Sequence, residues 1–286
     1  MHKIADQIKI ISPAKINLFL QVTGRRPDGY HDLATLMCRI GLYDMVHLTL
    51  GTNETIVTCH DPDVPNDKTN LALRAAGLFF AALNKHQDVK IFIEKNIPVA
   101  AGLGGGSSNA ASVLLGLNRY YGYPFNQEEL ISMGLSIGAD VPFFIYKKPA
   151  IASGIGEKLE TFHGLYPYQI VLVYPGFSVS TSEIYKNLNL GLTKCNKELK
   201  FINFYKKNFN IRYHLCNDLE TVTASRHPEI LSVKDALLSH GAEGALMSGS
   251  GPTVFGLFAD SDKAQKAKHA LAENNNWRVF LADMLV

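Results

Sequence analysis

The chain has 286 residues, of which 47% are apolar and 19% are charged, with a formal net charge of +2. This composition predicts a folded protein of one large or two ordinary domains and argues against disorder. A nearly neutral chain without a long basic run is not expected to bind nucleic acid. The sequence shows no signal-peptide pattern and no apolar stretch near the roughly 20 residues that cross a bilayer, so we expect a cytoplasmic protein without membrane attachment.

The four cysteines, Cys38, Cys59, Cys195 and Cys216, are widely spaced and form no Cys-x-x-Cys pair. We therefore expect free thiols in a reducing compartment rather than a disulfide framework or a zinc site. The ten histidines show no spacing typical of metal ligands.

Residues 14–22 alternate in polarity and predict a strand that places Lys15 and Asn17 on one face. A surface strand would carry such a pair equally well. The composition of residues 24–31 predicts a turn that ends in Tyr30 and His31.

Short strands are predicted at residues 45–50 and 55–59, joined by a hairpin turn at residues 51–53. Residues 70–83 have helical spacing, and residues 89–93 form a further predicted strand. Asn126, followed three positions later by Glu129, predicts a capping box for a helix that ends near residue 137.

A glycine-rich run connects the strand at 89–93 to a helix whose apolar stripe lies at residues 110–117. Its members are Pro98, Val99, Ala100, Ala101, Gly102, Leu103, Gly104, Gly105, Gly106, Ser107 and Ser108. Exposed amides and the dipole at a helix N-terminus attract anions, so the run predicts a phosphate-binding loop. A tight turn is the alternative. The run matches neither the P-loop nor the dinucleotide-binding motif, so it would bind a nucleotide in another way.

Asp140 lies among apolar residues in the connection at residues 138–144. A buried carboxylate needs a partner or a chemical role, and a helix cap is the alternative.

The remaining pattern is strand, helices, two strands, helix and strand, which predicts a ferredoxin-like domain. We place the domain division after residue 157, giving domains 1–157 and 158–286. Residues 248–253 form a second glycine–hydroxyl loop between the two middle strands, and a hairpin turn is its alternative explanation.

Three segments together resemble the GHMP kinase superfamily: residues 12–18, 98–108 and 247–253. The resemblance implies a two-domain α/β (α+β) fold with an N-terminal half like ribosomal protein S5 domain 2. It also implies a ferredoxin-like C-terminal half and an active site in the cleft between the halves. Residues 99–101 read Val-Ala-Ala where relatives commonly carry Met-Gly-Gly, which stiffens the start of the loop.

Residues 24–33 and 138–143 resemble one branch of the superfamily, whose small-molecule substrate is cytidine diphosphate methylerythritol. The implied reaction transfers the γ-phosphate of ATP to the 2-hydroxyl of the erythritol moiety, in the non-mevalonate route to isoprenoids. Mg²⁺ is the implied second cofactor, and Ser108 is the first candidate for its protein ligand.

The resemblance also implies roles for individual residues. Asp140 would accept the hydroxyl proton beside Lys15, Tyr30 and Tyr185 would sandwich the cytosine, and His31 would bond its edge. Asn17 would contact the substrate. The alternatives are a GHMP kinase that acts on homoserine or a mevalonate derivative, and a binding module without catalysis. The sequence leaves both a monomer and a homodimer open.

Overall fold

The computed structural model describes residues 6–188, 195 and 209–286. The chain forms two compact units, each assembled from separate segments. The first unit comprises Met1–Ala14, Tyr43–Val99 and Gly104–Lys147, and the second comprises Lys15–Leu42, Ala100–Leu103 and Lys148–Val286. The division after residue 157 stays a prediction.

Two long strands, β1 (Gln7–Arg25) and β2 (His31–Leu50), contribute residues to both units. The other elements of the first unit are β3 (Ile56–Cys59), α1 (Leu71–Ala82), β4 (Val89–Glu94), α2 (Gly105–Tyr120), α3 (Gln127–Ile137) and α4 (Val141–Tyr146).

The sheet of the first unit corrects the hairpin predicted at residues 51–53. β4 pairs antiparallel with β2, from Met45 opposite Glu94 to Leu50 opposite Val89. β3 pairs in parallel with β4 instead of turning back onto β2. The reason is α1, which connects β3 to β4 and thereby supplies the long crossover that a parallel pair requires.

Local capping signals set the helix starts in this unit. The side chain of Asn70 accepts a hydrogen bond from the Ala72 amide at the start of α1. The capping box of Asn126 and Glu129 is present at the start of α3, which confirms that prediction. Proline occurs in the first turn of α4, where its missing N–H costs no helical bond.

The second unit contains the remaining elements: β5 (Ala150–Gly154), β6 (Lys158–Thr161), β7 (Gln169–Tyr174), α5 (Thr181–Lys186), α6 (Ile211–His214), β8 (Cys216–Asn217), α7 (Asp218–Arg226), α8 (Glu229–Ser239), β9 (Gly244–Met247), β10 (Val254–Phe258), α9 (Ser261–Leu271) and β11 (Arg278–Leu285). Four of these strands form an antiparallel sheet in the order β11-β7-β10-β9. This is the strand order of a ferredoxin-like domain, as the sequence predicts. Its core is apolar and includes Val171, Val173, Ile230, Val233, Val254, Phe258 and Leu271.

The structure corrects the expectation of four free thiols. Cys195 and Cys216 form a disulfide with their Cα atoms 5.6 Å apart, although 21 residues separate them in sequence. Cys38 and Cys59 are free. Burial raises the pKa of the Cys38 thiol to about 12, which disfavours its thiolate form. Within the described ranges, no helix is both long and apolar enough to cross a membrane.

Candidate active site

The β1 strand places Lys15 and Asn17 on one face, as its alternation predicts. Both side chains are buried, at 4% and 2% exposure. Lys15 Nζ donates to Asn17 Oδ1 at 2.7 Å, and Asn17 Nδ2 donates to Thr35 Oγ1 at 2.8 Å. Their apolar neighbours on the opposite face are buried as well. The surface-strand alternative is therefore excluded for this stretch of β1.

The first half of the glycine run packs against the second glycine–hydroxyl loop, within the second unit. Ser248 Oγ donates to Gly102 O at 3.0 Å, and the Thr253 amide donates to Ala101 O at 3.3 Å. Gly102 has a φ of +78°, and a methyl group on it would overlap with the carbonyl oxygen of Ser248. Glycine is thus required here both for its backbone conformation and for the close approach of the two loops.

The second loop also meets the functional face of β1. A Cβ atom on Gly249 would lie 3.5 Å from Lys15 Nζ and 3.4 Å from Asn17 Oδ1. The buried side chain of Asn217 holds this loop in place, because its Nδ2 donates to Met247 O at 2.8 Å and to Gly249 O at 2.7 Å. The second unit therefore brings a buried cation to a loop of small residues, where a negatively charged ligand can approach closely.

The second half of the glycine run opens helix α2 in the first unit. Gly104 is the N-cap, with a φ of +71°, and it has no side chain to accept the amides of the first turn. That turn consists of Gly105, Gly106, Ser107 and Ser108 and carries no acidic residue. Unpaired amides and the positive end of the helix dipole make this terminus suited to phosphate.

The two serines that end the run have different environments. Ser108 is fully buried, and its Oγ accepts a hydrogen bond from Ser12 Oγ at 2.9 Å. This hydroxyl therefore does not fit the predicted contact with phosphate or Mg²⁺. Ser107 is partly exposed, and its Oγ lies 3.8 Å from the position of a Cβ atom on Gly138. Ser107 thus adjoins the connection that carries Asp140.

Asp140 precedes α4 in the N-cap position, with φ −83° and ψ −14°, but its side chain makes no capping hydrogen bond. The helix-cap alternative is therefore not supported. Asp140 is only partly buried, so a ligand can reach it. Asp140 belongs to the first unit and Lys15 to the second, and their pairing stays a prediction.

The predicted base-binding residues lie in the second unit. The rings of His31 and Tyr185 are 5.3 Å apart at an angle of 31°. Tyr30 is 60% exposed at the end of the turn between β1 and β2. Burial, and secondarily the charge of Arg25, lower the pKa of His31, so its neutral form is favoured. A neutral imidazole has one donor and one acceptor for the edge of a base.

Sequence reasoning missed two polar residues that hold these loops in place. One is Asn217, described above, and the other is Asp44, a fully buried carboxylate in β2. Asp44 stands alone in an apolar strand pattern between Tyr43 and Met45. A lone charge in such a pattern is a signal that could have identified it.

Comparison with known families agrees with this description. The family model described as GHMP kinases N terminal domain matches residues 70–148, and that described as GHMP kinases C terminal matches residues 205–276. The fold and the glycine loops thus define a small-molecule kinase of the GHMP class.

Individual similar proteins indicate a narrower family than the two domain models do. The 4-diphosphocytidyl-2-C-methyl-D-erythritol kinase of Syntrophotalea carbinolica is 48% identical over 96% of this chain and 97% of its own length. That of Syntrophus aciditrophicus is 45% identical over 96% of this chain and 98% of its own. The chain belongs to the family of these kinases.

Solved structures support the same fold. A crystal structure of 4-(cytidine 5'-diphospho)-2C-methyl-D-erythritol kinase is 34% identical, with a TM-score of 0.79, and covers 98% of this chain and 100% of its own. A homoserine kinase from Cytophaga hutchinsonii also has a TM-score of 0.79, at 19% identity, over 100% of this chain and 96% of its own. The second likeness concerns the fold alone, so it carries no argument about the phosphate acceptor.

Proposed function

We propose that this protein transfers the γ-phosphate of ATP to the 2-hydroxyl of 4-(cytidine 5'-diphospho)-2-C-methyl-D-erythritol, in the non-mevalonate route to isoprenoid precursors. The observation that carries the choice of acceptor is the aromatic pair of His31 and Tyr185, together with the exposed ring of Tyr30. Homoserine and mevalonate contain no base that such rings could stack on, whereas a cytidine nucleotide does.

The glycine loop is the proposed site for the phosphates of ATP. Gly102 allows the loop to pack closely against Ser248, and the amides at the start of α2 supply hydrogen-bond donors. Among the residues assigned to this loop by sequence, 98–107 remain the proposed contact region. Ser108 is assigned to its support, because its hydroxyl faces Ser12.

Phosphoryl transfer requires positioning and charge stabilisation more than covalent chemistry by the protein. Asp140 is proposed to accept the proton of the 2-hydroxyl as that oxygen forms its bond to the γ-phosphorus. The bond between the γ-phosphorus and the β–γ bridging oxygen breaks, and ADP leaves. The ammonium group of Lys15 is proposed to stabilise the negative charge that develops during transfer.

Mg²⁺ is proposed as the second cofactor, and when bound it would neutralise negative charge on the phosphates. Its chemistry suits a site with few protein ligands, since Mg²⁺ keeps several waters. Over the described part of the chain, Cys195, Cys216 and Asp218 form the one close group of three possible ligand residues, but the two cysteines are joined in a disulfide and sulfur does not suit Mg²⁺. We assign it no protein ligand.

The cytidine moiety is proposed to stack between Tyr30 and Tyr185, while neutral His31 bonds the edge of the base. Stacking contributes roughly 1–3 kcal/mol per base without distinguishing bases, so the edge contact supplies the selectivity. Asn17 is proposed to contact the erythritol moiety beside Lys15, since their side chains are hydrogen-bonded to each other.

The decisive experiment is a coupled assay of ATP consumption with the cytidine diphosphate acceptor, with homoserine and with mevalonate. We expect ADP formation only with the first, and mass spectrometry of its product should show one added phosphate. Turnover with homoserine or mevalonate instead would assign the protein to another GHMP activity. Tight binding of cytidine nucleotides without any turnover would favour a binding module.

Three further expectations remain proposals. The domain division lies after residue 157, and the reaction takes place in the cytoplasm, where ATP is supplied. The enzyme acts on a small molecule rather than on nucleic acid, as a monomer or a homodimer.

A further inference from the structure

Asp44 is a buried carboxylate that the proposed chemistry does not use. It is 0% exposed and accepts four hydrogen bonds. Oδ1 accepts the backbone amides of Asn96 at 2.8 Å and Ile97 at 2.9 Å. Oδ2 accepts Lys95 Nζ at 2.6 Å and Asn109 Nδ2 at 3.0 Å. All five residues belong to the first unit.

These donors lie on the two sides of the glycine loop. Asn96 and Ile97 come immediately before Pro98, where the loop begins. Asn109 lies in α2, which the loop leads into. One carboxylate is therefore bonded to both stems of the loop, on either side of the residues that adopt left-handed conformations.

Further hydrogen bonds connect Asn109 and Ser108 to Ser12 in β1. Asn109 Nδ2 also donates to Ser12 Oγ at 3.0 Å, and Ser12 Oγ donates to Ser108 Oγ at 2.9 Å. The start of α2 is thus fixed by hydrogen bonds from β1 as well as β2. This explains why the hydroxyl of Ser108 is buried: it bonds to Ser12 and helps to fix the loop.

The charge of Lys95 makes the carboxylate necessary. The Lys95 side chain is 5% exposed, and its Nζ lies 3.0 Å from the position of a Cβ atom on Gly105. A buried ammonium beside the positive end of a helix dipole is unfavourable unless an anion neutralises it. Asp44 supplies that anion, and the pair is further satisfied by the amides around it.

We propose that Asp44 is a positioning residue that fixes both stems of the glycine loop, so that the amides of α2 meet the nucleotide phosphates. The proposal rests on the proposed function, since it takes the loop as the ATP site. It makes a prediction opposite to that of simple electrostatics. Removing a negative charge beside a phosphate site would strengthen phosphate binding, whereas loss of positioning weakens it.

The test uses Asp44→Asn in the full chain, with Asp218→Asn as the matched control. Asp218 is also 0% exposed and accepts two backbone amides, those of Val22 at 2.9 Å and Cys195 at 3.1 Å, but it contacts neither stem of the loop in these hydrogen bonds. Calorimetric titration with the magnesium complex of the β,γ-imido analogue of ATP gives Kd for each protein. Steady-state kinetics gives KM for ATP and for the cytidine substrate.

We expect Asp44→Asn to raise Kd for the ATP analogue by roughly tenfold to a hundredfold, the scale expected for misplaced binding groups. The KM of the cytidine substrate should change by less than about twofold, and Asp218→Asn should lower Tm without changing the ratio of the two KM values. Hydrogen exchange at the Asn96 and Ile97 amides should accelerate in Asp44→Asn alone. Tighter nucleotide binding, or equal changes for both substrates, would overturn the proposal.

If Asp44→Asn does not fold, Asn109→Ala provides the test, because it removes the hydrogen bond between Asp44 and α2 while the pair of Asp44 and Lys95 stays in place. A raised Kd for the ATP analogue with an unchanged KM for the cytidine substrate would support positioning. If neither value changes, the proposal is rejected. Failure of the proposed function is distinguishable from these results. A wild-type protein that binds the ATP analogue without phosphorylating the acceptor rejects the function but leaves the Kd comparison valid.

Discussion

The stems of the glycine loop and the turn that carries Tyr30 are built in opposite ways. At the stems, the side chains of Asp44 and Lys95 are 0% and 5% exposed and form a pair at 2.6 Å. In the turn, Arg26 pairs with Asp28 at 3.1 Å, and these side chains are 40% and 49% exposed. An exposed pair contributes about 0–1 kcal/mol, whereas breaking a buried, fully bonded pair costs about 3–5 kcal/mol.

This difference corresponds to a division of tasks. Phosphate binding requires several backbone amides at fixed positions, so its loop is held by buried polar contacts. The proposed recognition of the acceptor base uses ring faces, including Tyr30 on an exposed turn, and such a turn can change without disturbing a core. The following variants test that division, and we expect their effects to decrease in the order given.

The largest effect is expected from Asp140→Asn, which belongs to neither region. It should lower kcat by about two to four powers of ten and leave both KM values nearly unchanged, because it removes only the proton acceptor. Asp260→Asn is the matched control, since Asp260 occupies the N-cap of α9 and does make capping hydrogen bonds. Near-normal turnover in a folded Asp140→Asn protein would remove Asp140 from the catalytic role.

Gly102→Ala tests the glycine loop itself, between the two stems. The added methyl group overlaps with Ser248 O, so the two glycine loops must separate, and we expect kcat/KM for ATP to fall at least tenfold. Gly122→Ala is the control, because Gly122 has nearly the same φ, +77°, with nothing within 4 Å of the added methyl. Both variants carry a backbone penalty of about 1–2 kcal/mol, so an equal loss of ATP kinetics would contradict the steric explanation.

Tyr30→Ala tests the exposed turn. Loss of one stacking face, worth roughly 1–3 kcal/mol, should raise KM for the cytidine substrate by about fivefold to a hundredfold. KM for ATP and Tm should stay unchanged, as they should in Tyr123→Ala, where the control tyrosine is 68% exposed. Equal increases in both KM values would place Tyr30 outside the cytidine site.

The pH dependence of acceptor binding tests His31. Its pKa is lowered below the ordinary value of 6.5, so the neutral form predominates at about pH 7 and above. KM for the cytidine substrate should therefore be constant from about pH 7 upward and change only below the lowered pKa. The same group contributes stability that is lost as the pH falls below its unfolded pKa. In His31→Asn, this change in KM should disappear. If the change in the unmodified protein is centred above pH 6.5, it belongs to a group other than His31.

Ala100→Gly should have the smallest effect. Ala100 adopts a φ of +50°, a left-handed conformation that costs an alanine about 1–2 kcal/mol. Glycine removes this strain but adds unfolded-state entropy worth about 0.5–1 kcal/mol, so we expect a gain of up to about 1.5 kcal/mol in the free energy of unfolding. Denaturant unfolding measures it, with Ala101→Gly as a control that should destabilise. A lower free energy of unfolding in Ala100→Gly would show that the backbone of Ala100 is not strained.

Much of the fold follows from local patterns in the sequence. The period-two alternation of β1 predicts the shared face of Lys15 and Asn17, and Asn126 with Glu129 predicts the start of α3. Both features are present because they depend on neighbours within a few residues. The strand and helix order of residues 169–285 likewise predicts the ferredoxin-like sheet.

The incorrect predictions concern partners that are distant in sequence. The turn at residues 51–53 predicts a hairpin, but the α1 crossover sends β3 to the far side of β4. Cys195 and Cys216 match no local cysteine motif, and their pairing requires residue 195 to meet β8. The hydrogen bond from Ser12 to Ser108 likewise joins residues 96 positions apart, and no local pattern predicts it.

The sequence by itself therefore determined the family, the glycine loop and the identity of the candidate residues, because these depend on residue types at short spacing. Only the tertiary structure decided which polar groups are buried and what they bond. Gly102 shows this in one residue: its type predicts a flexible loop, while its contact with Ser248 requires close packing. Asp44 shows it most clearly, because this single carboxylate in β2 binds four donors from two other segments of the chain, residues 95–97 and helix α2.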